Sequence, residues 1–293
     1  MFIATLIAAD RLGGGEISLA EDALRAAGGI EPRGRSWVEG DKACDLLFSG
    51  PPERVRTTLE GLVPRVDIVV QGEAGRRRRL LAADMDSTMI TIECIDELAD
   101  YAGVKAQVAE VTERAMRGDI RFEEALAERV ALLEGLDEAL VGRCYDERLR
   151  MTPGAEALVR TMKREGAYCL LVSGGFSAFA DRVAKALGFD KAVSNSLPAE
   201  GGRLTGRVPA PVVGAEAKRN ALLDAAAEQS VDLADTLAVG DGANDIPMIA
   251  AAGLGVAYRA KPVVAAAAAA RIEHNDLTAL LYAQGYSRGE WAA

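Results

Sequence analysis

The chain has 293 residues, 49% of them hydrophobic and 27% charged, a balance that excludes a disordered or fibrous protein and suits two packed domains. Lys and Arg total 34 against 44 Asp and Glu, and the net charge of −10 disfavours nucleic acid as a partner. The longest uncharged apolar run, Pro262 to Ala270, is too short to span a bilayer, and Met1-Phe2-Ile3 opens without a basic signal region, so no membrane partner and a cytoplasmic location are expected.

From the N-terminus, Phe2 to Ala8 reads as a strand and Ser18 to Ala27 as a helix, with Ser18 and Glu21 at capping-box spacing and Gly28 as the stop. Arg35 to Glu39 and Ala43 to Ser49 read as strands, Pro52 opens a second helix, and Val66 to Val70 completes the series. The order βαββαβ is the ferredoxin-like α+β arrangement, and residues 1–75 resemble the small amino-acid-binding modules of the ACT type. A structural or dimerisation appendage is the other reading of this pattern, which leaves room for a homodimer through the N-terminal domain. Between Gln71 and Arg79, two glycines and four successive arginines mark a domain boundary, read as a solvated linker.

Residues 76–293 form the second expected domain. Leu80 to Met85 reads as a strand, and a charged helical stretch at about 95–149 reads as an inserted helical cap. Strand patterns return at Tyr168 to Ser173, Thr236 to Gly240 and Leu254 to Ala257, alternating with helical ones at Ala178 to Leu187 and Glu216 to Gln229. Such alternation predicts an α/β core with a doubly wound parallel sheet, whose ligands bind off the carboxyl ends of the strands. Ala192 to Pro209, around Gly201-Gly202, predicts a hairpin flap, and Ala265 to Ala270 a helix.

His274 is the only histidine, and the cysteines Cys44, Cys94, Cys144 and Cys169 are too dispersed for a zinc knuckle or a dense disulfide framework. The chemistry must therefore rest on carboxylates. Asp84-Met85-Asp86-Ser87-Thr88 follows one apolar strand directly, and Gly240-Asp241-Gly242-Ala243-Asn244-Asp245 follows another. Clustered carboxylates offer hard oxygen ligands that suit Mg²⁺, and the second segment lacks the spacing of a calcium-binding EF-hand. Ser173-Gly174-Gly175-Phe176 ends a third strand, where a hydroxyl and backbone N–H groups can hold phosphate. Lys218, one of seven lysines, lies near the start of a predicted helix and can clamp a phosphate. Taken singly, these segments also read as a hydrated turn, a helix cap and a solvated lysine.

In sequence order, DMDST, SGGF, Lys218 and GDGAND resemble the four motifs of the haloacid-dehalogenase-type phosphohydrolases, over about residues 80–285. Within that superfamily, IECIDELA, VTERAMRGDIRFEEAL and ERVALLEGL are more closely similar to the phosphoserine phosphatases. The resemblance implies Asp84 as nucleophile, Asp86 as general acid, and Mg²⁺ held by the Asp84 carboxylate, the Asp86 carbonyl and Asp241, with Asp245 and Asn244 around them. It implies Ser173, Gly174 and Lys218 on the phosphate, Glu93 on the substrate ammonium and Arg129 on its carboxylate. Met116 and Phe122 would form an apolar lid, with core packing as their other reading. The expected substrate is the small molecule phosphoserine, hydrolysed through an aspartyl-phosphate at the end of serine biosynthesis. Two alternatives share these residues: transfer of the phosphoryl group to another acceptor such as homoserine, and an amino-acid-sensing or partner-binding protein with a vestigial phosphatase core.

Overall fold

The N-terminal segment runs β1 (Phe2–Ala8), α1 (Gly14–Ala26), β2 (Glu31–Glu39), β3 (Ala43–Ser49), α2 (Pro52–Leu59) and β4 (Val66–Gly72) in a computed structural model that describes residues 1–117 and 119–292. Its strands form one antiparallel sheet in the order β2-β3-β1-β4, the expected ferredoxin-like topology. The two-residue period of a strand sorts β1 between two cores: Ala4, Leu6 and Ala8 pack beneath α1 and α2, while Ile7 faces the rest of the molecule. Helix α1 starts four residues before the predicted Ser18. The Glu16 carboxylate accepts the Gly13 N–H at 3.0 Å and caps the helix there, leaving Ser18 inside it.

The second sheet is built from β5 (Leu80–Ala83), β6 (Tyr168–Phe176), β7 (Lys191–Asn195), β10 (Thr236–Gly240), β11 (Leu254–Tyr258) and β12 (Ala270–Ile272). Their order is β12-β11-β10-β5-β6-β7 and every pairing is parallel, as expected. Helices cover both faces, so β5 carries no polar residue: Leu81 and Ala83 enter one core, Leu80 and Ala82 the other. The stretch between β5 and β6 folds into α3 (Cys94–Ala102), α4 (Lys105–Met116), α5 (Phe122–Ala131) and α6 (Ala139–Glu147), then α7 (Ala155–Arg164). Helix α8 (Ser177–Leu187) follows β6, and α9 (Ala215–Glu228) precedes β10.

Two local expectations are corrected. The hairpin is confined to β8 (Ala199–Glu200) and β9 (Arg203–Leu204), because Lys191–Asn195 is taken up as the sheet-edge strand β7. After α10 (Ile246–Ala251), the alanine run is helical only over α11 (Pro262–Ala267). Ala270 turns extended to pair with Val256, so sheet hydrogen bonding overrides the helix preference of alanine.

The arginine run is also not a solvated linker. Arg76 pairs with the buried Asp45, Arg77 stacks 4.1 Å from the Tyr286 ring centroid and reaches Glu290 at 2.7 Å, and Arg78 bonds the side chain of Gln71 at 2.5 Å and the carbonyl of Ala234. Beside it, Ile7, Ala43 and Val69 join the main core with α12 (Ala279–Ala283). Buried Asp67 of β4 accepts the backbone N–H groups of Glu273 (3.0 Å), His274 (3.2 Å) and Asn275 (3.0 Å), and the Asn275 amide (2.8 Å). The two sheets meet across one continuous seam. Among the described residues, no helix is long and apolar enough to cross a membrane.

Candidate active site

Strands β10, β5 and β6 are neighbours at the centre of the parallel sheet, so their carboxyl ends bring three of the sequence motifs to one place. A cavity of about 650 Å³ opens there between the sheet and helices α3 to α5. Asp84, Asp86, Glu93, Phe122, Arg129, Gly174, Asp241 and Asn244 all line it. Ser173, Lys218 and Asp245 stand behind its wall as buried groups. Met116 ends α4, but its side chain lies outside the described residues and its expected lid role with it.

Asp84 leaves β5 with its N–H donated to Val239 at 3.0 Å, which ties it to the neighbouring strand β10. The chain then kinks: Ser87 takes a left-handed φ of 54°, and its hydroxyl donates to Glu93 at 2.6 Å. Thr88 donates to Asp241 at 3.0 Å, joining the first motif to the last. Asp86 accepts the Cys94 N–H at 2.9 Å, so the start of α3 fixes its carboxyl. Close approach requires glycine at 175, where a Cβ would lie 2.6 Å from an Asp86 oxygen. At 174 it would lie 3.0 Å from the Phe122 ring. Phe122 accordingly closes over the β6 turn.

Lys218 is fully buried between two carboxylates, 2.5 Å from Asp84 Oδ1 and 2.7 Å from Asp245 Oδ1. Burial opposes its charge, yet the carboxylates of Asp245 and Asp84 outweigh that and raise its pKa above the ordinary lysine value. Burial, with Asp245 beside it, pushes Asp84 well above the carboxylate range against the pull of Lys218. The same causes bring Asp241 up to about 6. Burial also raises Asp86, although the Cys94 N–H and thiol stabilise its anion. Glu93 is open to solvent through the cavity mouth, but the surrounding protein displaces enough hydration, with Asp86 nearby, to bring it up to about 7. Burial lowers the pKa of Arg129, countered by the carboxylates of Asp96, Glu93 and Asp86. Its Nε donates to the Ala125 carbonyl at 3.2 Å, and among the described residues no carboxylate comes within ion-pair distance.

The side chains of Asp84, Asp241 and Asp245 offer ligand oxygens within 4.8 Å of one another. Three carboxylates converge here and one ammonium pairs with only two of them, Asp84 and Asp245, so a hard divalent cation fits the donor set. The carboxyl of Asp86 is outside this cluster. Residues 81–250 match the family profile described as haloacid dehalogenase-like hydrolase. The chain belongs to that family.

This haloacid dehalogenase-like hydrolase is 48% identical over 208 residues to a phosphoserine phosphatase of a Polaromonas species, covering 69% of this chain and 88% of that one. It is 45% identical over 253 residues to the phosphoserine phosphatase of Streptomyces coelicolor, covering 85% of this chain and 62% of the relative. The chain spans only 59–66% of the length of several curated relatives, the Streptomyces protein among them. Among solved structures, the unliganded probable phosphoserine phosphatase from Vibrio cholerae superposes with a TM-score of 0.78 at 34% identity, covering 97% of this hydrolase and 86% of that chain. The sequence motifs pointed to the carboxylates, but not to the roles of Ser87 and Thr88 in holding Glu93 and Asp241. Both lie inside the quoted DMDST segment, where two hydroxyls after paired carboxylates were the available signal.

Proposed function

We propose that the protein is a Mg²⁺-dependent phosphoserine phosphatase. One observation carries the substrate assignment: Arg129, without an ion-pair partner among the described residues, shares a cavity with Glu93 and with the paired carboxylates Asp84 and Asp86. A phosphorylated amino acid brings a carboxylate for the guanidinium, an ammonium for Glu93 and a phosphate for the strand ends. The identity to phosphoserine phosphatases supports the same choice.

The proposed reaction runs through this chain's own residues. Lys218 occupies Oδ1 of Asp84 and favours its ionised form, leaving Oδ2 to attack phosphorus. As the phosphorus–serine oxygen bond breaks, Asp86 protonates the leaving oxygen; its raised pKa keeps a proton available. Water then attacks the aspartyl-phosphate, gives its proton to Asp86 and releases phosphate from Asp84. Gly174 and the Ser173 hydroxyl would hold phosphate oxygens, with Gly174 and Asn244 both lining the cavity and Ser173 just behind its wall. Phe122 limits solvent entry. Asp84, Asp241 and Asp245, with the Asp86 carbonyl, would hold Mg²⁺, which when bound supplies positive charge against the repulsion between nucleophile and phosphate.

The test is a panel of phosphorylated metabolites assayed for phosphate release with Mg²⁺, with EDTA, and with added homoserine as a competing acceptor. The expected outcome is preference for phosphoserine, loss of activity in EDTA, recovery with Mg²⁺, and no phosphohomoserine. Activity undiminished without metal, or a better substrate lacking an amino-acid end, overturns the proposal.

A further inference from the structure

The ladder between β6 and β7 breaks just where the cavity begins. Its register jumps from Val172–Val193 to Phe176–Asn195, so Ser173, Gly174 and Gly175 bulge out of the pairing. A bulge leaves backbone groups without strand partners and re-aims the residues it carries. Here it turns Gly174 and Gly175 into the cavity wall.

Asn195, the last residue of β7 and only 3% exposed, closes the gap with its side chain. Its Nδ2 donates to the Gly174 carbonyl at 2.9 Å, and its Oδ1 accepts the Val213 N–H at 2.8 Å. Val213 immediately precedes Gly214, the N-cap of α9, and the Gly214 carbonyl accepts the Lys218 N–H at 3.0 Å. One buried amide therefore joins the β6 turn to the helix that carries Lys218. A carboxamide supplies a donor and an acceptor from one planar group without any change of protonation. An aspartate would set a second acceptor against the Gly174 carbonyl, and an alanine would leave both backbone groups unpaired.

We propose that Asn195 is a positioning residue for the phosphate, setting the separation between the Gly174 turn and α9. The inference rests on the phosphatase reading above. It differs from that reading in predicting an effect blind to the rest of the substrate, because Asn195 touches neither Glu93 nor Arg129.

The experiment compares N195A and N195D with the wild-type chain in Mg²⁺, measuring kcat and KM for phosphoserine and for an aryl phosphate, the inhibition constant of inorganic phosphate, and Tm. Both variants should lose about 10- to 100-fold in kcat/KM, to the same degree on the two substrates, with a matching weakening of phosphate inhibition. Phosphate inhibition and both kcat/KM values within about twofold of wild type, alongside a lower Tm, would reduce Asn195 to a structural role and overturn the proposal. A loss confined to phosphoserine also overturns it. Should neither variant fold, amide exchange in the wild type decides: inorganic phosphate must slow exchange at Val213 and Gly175, and no change sinks the idea. A wild-type enzyme active on the aryl phosphate but not on phosphoserine fails the substrate reading while leaving Asn195 measurable.

Discussion

Replacing Arg129 by alanine separates recognition of the amino-acid end from chemistry at phosphorus. In the free enzyme, Arg129 is half-buried and has only longer-range attraction from Asp96, Glu93 and Asp86, so its removal costs little folding stability. In the proposed substrate complex it would gain a carboxylate partner within a cavity walled by Phe122 and α5. Truncating one member of an enclosed, hydrogen-bonded charge pair costs about 2–5 kcal/mol. Because the cavity keeps some solvent, the middle of that range applies and not its top, and about 3–4 kcal/mol corresponds to a loss of ~10²–10³ in kcat/KM for phosphoserine. The assay is steady-state phosphate release from phosphoserine and from an aryl phosphate, with Tm measured in parallel. The aryl phosphate should fall by less than about tenfold, since it needs only Asp84, Asp86 and the phosphate-holding groups. Lysine at this position should recover only part of the loss, because it lacks the planar fork that grips a carboxylate at two points. Equal losses on both substrates would place Arg129 on the phosphate or in the cap's packing, and the reasoning would fail.

Gly175→Ala drives a methyl group toward Asp86, 2.6 Å from its oxygen, and should displace this proposed general acid. The expected loss in kcat is about 10² for phosphoserine, smaller for an aryl phosphate whose leaving group needs no proton, and an unchanged kcat on phosphoserine would refute it. Asp67→Ala leaves three backbone N–H groups and the Asn275 amide without their acceptor, about 3 kcal/mol and about 6 °C in Tm. Calorimetry reads this, and an unshifted Tm would show the seam to be held by apolar contact alone.

Three of the four motifs were legible because each belongs to a strand and the turn directly after it, so local pattern carried Asp84, Gly174 and Asp241 to their places. The parallel sheet followed from the same alternation. Asn195 was not legible: its partners lie 21 and 18 residues away, and nothing distinguishes it from other polar residues of the flap. Asp67 is a more extreme case, with acceptor and donors separated by 206 to 208 residues. Lys218 was singled out in the sequence as a candidate phosphate clamp, but its insertion between Asp84 and Asp245 depends on the packing of α9 against the sheet. The arginine run misled because four charges in succession read as solvated until their separate partners are known.

Those arginines bear on how the protein meets a protease. Four adjacent trypsin sites offer an obvious target in the extended sequence, yet cleavage needs a segment that can be lifted out and threaded into the enzyme. Arg79 donates its N–H to the Asp235 carbonyl and accepts from the Tyr168 N–H, while the guanidinium groups of Arg76, Arg77 and Arg78 are engaged on three different parts of the fold. Nicking there must wait for the seam itself to open, so the chain's most trypsin-rich stretch becomes a gauge of whether the two sheets have come apart.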